Sequence, residues 1–337
     1  MLLRLMIVFL LGSAYGQQAS VSPKLLAPPD PALQLPIKEL RVISSAVTEV
    51  PTFSFFYPAR CDKDGAIFFH LNKGSWNNME VLKLKIVSGS AEPTTYLAPA
   101  DFTANKSGFF INFSVSPSGD LWMVGESLKR EYFLFKFDSD GKPTGQIKLA
   151  VPEHLDLRDF AVSDQGNILV SGSFDRDANS SLSGKRYIAL FDSSGRLQKE
   201  FDSKADGVDP NNTGMHEAGI IYGDDGRLYV LLPQNILVVS QGGAIEKRIP
   251  FDKPKDFLAT HFAVSGGYLA IWLTKRNEHG PLFTQFLTID VGTGESLARY
   301  NTTPETGNAA LCFSRKDGFT MWQIENQRLK LLMANVN

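Results

Sequence analysis

From Ile37 onward the apolar positions fall in short runs, β-branched or aromatic, cut by clusters of Gly, Asp, Ser and Asn. That is the pattern of strands and tight turns, and no stretch holds a helical period. In "FAVSDQGNILVSGSFDRD", Phe160 to Asp177, an apolar run meets a polar turn closed by glycine, and a second apolar run follows. The same unit recurs with its closing glycine at Gly65, Gly119, Gly166, Gly226, Gly267 and Gly318. In several copies a second hairpin follows, as in "YFLFKFDSDGKPTGQIKL", "YIALFDSSGRLQKEF" and "FLTIDVGTGESLARY". In the first two its turn reads Asp-x-x-Gly, and in the third Asp-x-Gly-x-Gly, where Asp caps the turn through its side chain and Gly takes the positive φ.

Each unit is therefore four strands on a period of roughly 40–60 residues, the signature of propeller blades. A lone sheet with two apolar faces would leave both in water; six such sheets around an axis bury them between neighbours. The expected fold is all-β, a six-bladed β-propeller over residues 37–337. The last unit ends one strand short, after "FTMWQIE" and "RLKLLMAN". The stretch "IKELRVISS" near the N-terminus is predicted to complete the last blade, which closes the ring and removes a free edge. The repeats resemble those of NHL-type six-bladed propellers, in which a turn, an apolar strand and "FDxxG" recur, as from Phe160 to Phe201 here. The likeness is strongest in the units closed at Gly119 and Gly166, and departs where NHL repeats often carry Asn-x-Arg before the third strand. It implies an architecture, and an architecture hosts many functions.

Residues 1–16, "MLLRLMIVFLLGSAYG", have one early cation, an apolar run and small residues at the end, the layout of a secretory signal peptide cleaved after Gly16. The apolar run is too short for a permanent anchor. Residues 17–36 read as a Pro-rich arm or linker. These features predict a secreted or periplasmic protein with no membrane span in the mature chain. Loss of Arg4 leaves 33 cations against 36 anions, moving the net charge from −2 to −3. A surface for nucleic acid normally needs a basic excess, so no nucleic-acid partner is expected. Sequons stand at Asn105, Asn112, Asn179, Asn211 and Asn301.

Cys61 and Cys312 are an even pair in an oxidising compartment, which suggests a disulfide. Counted back from the turn glycines, both occupy innermost strands of adjacent blades at like parity. Like parity turns one thiol toward the neighbouring blade and the other away, so two buried free thiols are expected.

In a propeller the innermost strands line a central channel, and the connections leading into them form one mouth. The mouth positions are Asn112, Arg158 with Asp159, His216 with Glu217, Thr260 with His261, and Asn308; the first blade is apolar there, around Phe56 to Pro58. Carboxylate and carboxamide oxygens suit Ca²⁺, while His with Asp or Glu suits Zn²⁺ or a base–water pair. Gluconolactonase-like six-bladed hydrolases hold a divalent metal in this channel with Glu, Asn and Asp. This chain is similar in placement without matching those motifs residue by residue. The resemblance implies Asn112, Asp159 and Glu217 as metal ligands, with His216 or His261 as base. A polar mouth is also what a wet, empty channel presents.

A second stretch, Asp175, Asp177 and Asn179, has the alternating spacing of a calcium loop, but Ser180 replaces its turn glycine and Arg186 stands where its bidentate Glu belongs. No G-x-S-x-G, H-E-x-x-H, phosphate loop or dinucleotide fingerprint occurs. Turns opposite the mouth carry Asp62, Asp64, Asp138, Asp140, Asp164, Asp192, Asp224 and Asp225, whereas mouth connections carry Lys129, Arg130, Arg176, Lys185, Arg186, Lys275 and Arg276. A cation-rich mouth favours a small anionic ligand or a protein partner, and Trp76 is the expected exposed aromatic contact. The reading is an exported propeller acting as a ligand- or protein-binding module. Arg158, Asp159, Asn112, Glu217 and Trp76 are its candidate contacts, and a metal-dependent lactonase- or esterase-like hydrolase is the alternative.

Overall fold

The computed structural model describes residues 35, 37–48, 54–72, 79–87, 90–97, 108–174, 181, 183–201, 219–275, 283–302, 310–315, 317–325 and 328–335. Every regular element among them is a strand. The chain opens with β1 (Ile37–Glu39) and β2 (Arg41–Thr48). The first blade is β3 (Ser54–Cys61), β4 (Ile67–Asn72), β5 (Met79–Val87) and β6 (Ser90–Leu97). The second is β7 (Gly108–Val115), β8 (Leu121–Ser127), β9 (Tyr132–Phe137) and β10 (Pro143–Leu149). The third is β11 (Leu155–Val162), β12 (Ile168–Phe174), β13 (Arg186–Phe191) and β14 (Leu197–Glu200). The fourth is β15 (Ile220–Tyr222), β16 (Leu228–Leu231), β17 (Asn235–Val239) and β18 (Ile245–Pro250). The fifth is β19 (Leu258–Ser265), β20 (Tyr268–Lys275), β21 (Phe283–Asp290) and β22 (Ser296–Asn301). The sixth takes β23 (Ala310–Ser314), β24 (Gly318–Glu325) and β25 (Arg328–Asn335) from the C-terminal part of the chain and β2 from the N-terminal part.

The ring closes as the sequence predicts, with a change of register. β2 pairs antiparallel with β25 from Arg41↔Asn335 to Thr48↔Leu329 and so completes the sixth blade. Ile37–Glu39 instead runs parallel to β22 as a fifth strand on the fifth blade, Ile37 opposite Arg299. Leu40, 2% exposed, is buried among Trp272, Phe286, Phe319 and Met321 where the chain crosses between the two blades.

The core lies between blades. In β12, Ile168 and Val170 pack against the second blade with Val124 and Leu134, while the intervening Leu169 packs against the fourth with Leu228 and Val230. In β20, Leu269, Ile271 and Leu273 face Tyr229 and Leu231 of the fourth blade, and Ala270 and Trp272 face Phe319 of the sixth. The remaining two interfaces, first with second and sixth with first, carry clusters around Phe68 with Phe113 and around Ile67 with Leu331. Alternation along a strand thus serves two neighbours, which is why both faces read apolar in the sequence.

The turns opposite the mouth follow the predicted chemistry. Asp62, Asp138 and Asp192 each accept two backbone N–H groups on Oδ1 across their own turn. The glycines that close them, Gly65, Gly141 and Gly195, sit at φ of 81°, 82° and 81°. The Asp count on that face is turn capping in large part, and Asp164, Asp224 and Asp225 are engaged by Tyr222, Gly266 N–H, and Arg227 with Tyr229.

The cysteines correct the expectation of free thiols. Cys61 and Cys312 form a disulfide across 251 residues, with Cα atoms 5.9 Å apart. The parity argument counts both cysteines from their turn glycines as though those glycines were equivalent. Gly65 stands inside its turn, one residue before Ala66, whose carbonyl accepts the Asp62 N–H, whereas Gly318 itself lies opposite Ser314 and closes its hairpin. Cys61, opposite Ile67, is thus one rung from its turn and Cys312, opposite Thr320, is two, so the side chains leave opposite faces of their strands and meet in the seam where Ile67 and Leu331 pack.

Candidate functional site

The innermost strands break register at one level. A bulge separates Phe110 from Asn112 in β7, Leu157 from Asp159 in β11, and Ala259 from His261 in β19, and a wider irregularity precedes Arg60 in β3. A bulge re-aims the side chain that follows it. Asn112, Asp159 and His261 lie opposite Val124, Ser171 and Trp272, five residues beyond Gly119, Gly166 and Gly267 in each case. They are therefore equivalent, and they come together with Arg60.

Asp159 is the centre. Arg60 Nη2 donates to both of its oxygens at 3.1 and 3.0 Å. Asn112 Nδ2 donates to Oδ1 at 3.0 Å, the Phe160 N–H to Oδ1 at 2.9 Å, and the Ile220 N–H to Oδ2 at 2.8 Å. Asn112 Nδ2 also reaches the Arg158 carbonyl at 3.0 Å, and Asn112 Oδ1 accepts the Phe113 N–H at 2.8 Å. His261 Nε2 lies 3.2 Å from the Ala59 carbonyl and 3.4 Å from Arg60 Nη1. Groups from blades one to five thus meet on one carboxylate and its guanidinium.

The cluster is dry. Arg60, Asn112 and Asp159 are 6, 7 and 5% exposed. Burial pushes the Asp159 carboxyl up from its ordinary range, while the Arg60 charge and the Ile220 and Phe160 N–H groups pull it back. Burial, and then the Arg60 charge, hold the His261 imidazole down at about 3, so it is neutral near pH 7. Its ring also meets Trp272 edge to face, 5.4 Å between centroids.

Of the residues singled out in the sequence, the structure brings together Asn112, Asp159 and His261. Arg158, the bulged residue, faces outward and pairs with Asp156. Thr260 bonds Thr274. Lys275 pairs with Asp256, and Arg130 with Glu126, a carboxyl that burial pushes up. His216, Glu217, Trp76, Asn308 and the Asp175–Asn179 stretch lie outside the described residues. In the fourth blade the position equivalent to Asp159 is Gly219, whose carbonyl accepts the Leu231 N–H. A Cβ there would stand 3.1 Å from the Phe262 ring and in ordinary contact, 3.9 Å, with Asp159 Oδ2, so glycine here leaves room for Phe262. Arg60 was not anticipated, because the first blade reads as apolar around Phe56 to Pro58. The available signal was a lone arginine inside "FSFFYPARC".

Among the described residues no group of three or more His, Cys, Asp or Glu side chains is placed to hold a metal ion. Both Asp159 oxygens already accept from a cation and three other donors. A divalent ion bound there would have to displace the Arg60 guanidinium or share its field.

No protein-family model matches the chain, and no curated protein matches it. Among solved structures it is similar to a calcium-binding protein, regucalcin, from Agrobacterium tumefaciens: 13% identity, 89% of this chain and 96% of that one, TM-score 0.51. It is similar also to the WD40 domain of Pan2 from Neurospora crassa: 10% identity, 89% of this chain and 97% of that one, TM-score 0.50. What these likenesses share is the fold. The chain is a six-bladed β-propeller, closed by its own N-terminal strand.

Proposed function

We propose that the protein is an exported propeller that acts as a ligand- or protein-binding module through its mouth face. The observation that carries this is the saturation of Asp159. Among the described residues, the Asp159 oxygens are spent on Arg60, Asn112 and the Phe160 and Ile220 N–H groups, so this carboxylate joins blades and is not free to act on a substrate. The connections opposite the mouth are tight turns, while the long ones, residues 98–107, 175–185, 201–219 and 302–309, all leave from the mouth. Long connections on a rigid scaffold are where recognition residues concentrate. A disulfide between the first and sixth blades supports an oxidising destination and, with the leader-like N-terminus, export.

The contact of Asn112 with Asp159 favours a second reading, the metal-dependent lactonase- or esterase-like hydrolase, in which Glu217 completes the ligand set and His216 or His261 serves as base. The two readings part on one experiment. The mature protein is analysed for bound metal and titrated with Ca²⁺ and Zn²⁺ while its thermal unfolding is followed, beside Glu217→Gln. The binding-module reading expects no stoichiometric ion and no shift. An ion held by the wild type, lost in Glu217→Gln together with lactone hydrolysis, establishes the hydrolase instead.

A further inference from the structure

The rim of a propeller is a ring of outer strands, each with one open edge, and open edges invite pairing unless something blunts them. Here nearly every edge is blunted. β6 carries Glu92 and Pro93, β10 carries Pro143 and Lys148, and β14 carries Lys199 and Glu200. β18 carries Glu246, Lys247, Arg248 and Pro250. The edge of β22 is covered by β1, which presents Lys38 and Glu39 in its place. β2 is the exception. After Arg41 it reads Val-Ile-Ser-Ser-Ala-Val-Thr, with neither charge nor proline.

Its exposure matches. Arg41 to Ser45 are exposed in succession, so both faces of the strand are wet, and Val42 and Ile43 are 39 and 60% exposed. A bulge between Val42 and Ser44 turns Ile43 away from β25. Among the described residues the outer edge makes a single bridge, Val47 to Ser90 of β6, and Arg41 to Ala46 stay open. Ile37 and Leu297, 40 and 41% exposed, extend the apolar surface onto the fifth blade.

We propose that the open edge of β2 is a docking surface for a second copy of this chain, the two β2 strands pairing antiparallel about a two-fold axis near Ser44. Charge selects this occupant and this direction. Antiparallel self-pairing over Val42 to Ala46 opposes only uncharged side chains to one another and keeps the two Arg41 residues at opposite ends. They then stand roughly 20 Å apart, beyond the screening length at physiological salt. A parallel pairing would stack Arg41 on Arg41. Leu35, just before β1, packs against the cluster between the fourth and fifth blades, away from the sixth blade that holds β2. A two-fold contact of this kind is closed and makes a dimer of propellers.

The test uses the mature chain in sedimentation velocity over a concentration series. The wild type is expected to dimerise reversibly. Ile43→Lys, at an exposed and bulged position where a charge disturbs no packing, is expected to weaken association at least about tenfold. Leu197→Lys, a comparably exposed leucine on β14, is expected to leave it unchanged. Ser44→Cys is expected to give a disulfide-linked dimer on a non-reducing gel. A wild type that stays monomeric throughout overturns the proposal, as does a dimer that Ile43→Lys leaves intact, one that Leu197→Lys disrupts equally, or one in which Ser44→Cys does not cross-link. A dimer that forms only once residues 17–34 are deleted makes the arm the occupant and also overturns it.

Discussion

At the scale of single residues, the channel centre behaves as a fastener. Removing one member of a buried, hydrogen-bonded ion pair leaves the other charge uncompensated and costs about 3–5 kcal/mol. Asp159→Ala is therefore expected to lower stability by that order in a denaturant titration, because it strands Arg60 and releases the Ile220 N–H. An unchanged midpoint would show that the cluster does not hold the blades. His261 gives a second handle through pH. Its folded imidazole stays neutral down to about 3, whereas the unfolded one takes a proton near 6.5. The unfolded chain thus binds more protons between those values, so stability is flat above pH 6.5 and falls as pH drops through that window. His70, held down to about 4 by burial, acts in the same direction. Thermal unfolding of His261→Gln across pH 4–7 should show a shallower decline than the wild type, and parallel curves would remove His261 from the account.

At the scale of strands and turns, most of the order was legible beforehand, since the turn glycines are where the hairpins need positive φ. Gly195 shows what one such position withstands. Its φ is +81° and a Cβ would lie 2.1 Å from the Lys148 carbonyl of the second blade. Gly195→Ala combines left-handed strain with a backbone clash and is expected to cost about 2–4 kcal/mol. Gly65→Ala, at the same φ with nothing within 4 Å, pays the backbone strain alone, about 1 kcal/mol. Equal melting shifts for the two variants would refute the clash. What the sequence hid was the register of the bulges. Counting from a turn glycine assumes one residue per rung, and the innermost strands of the second, third and fifth blades break that count just where Asn112, Asp159 and His261 turn inward. Asn112, Asp159 and His261 survived the miscount because each stands beside the bulge. Arg60 was lost to a longer irregularity, Gly219 carries no side chain to signal its place, and the later position of Gly318 in its hairpin hid that Cys61 and Cys312 face each other across the seam.

At the scale of the whole molecule, the ring has one seam, between the first blade and the sixth, and it is fastened twice. Near the axis the Cys61–Cys312 bond joins β3 to β23, and at the rim β2 joins β25. Cys61→Ser with Cys312→Ser is expected to lose about 2–5 kcal/mol in a non-reducing melt. Deleting residues 37–45, which removes Leu40 and the start of β2, should unfold the protein globally, and a deletion variant that melts with the wild type would show that the seam needs no strand from the N-terminal side. That double fastening also orders events during biosynthesis. β2 leaves the ribosome long before β25, its partner, has been made, because Arg41 must wait for Asn335. While residues 49–335 are being made the strand has no mate, and the sixth blade cannot assemble until β25 has emerged. A cell making this protein must keep that early segment from finding other nascent chains, a task suited to a holding chaperone and to transport in an unfolded form.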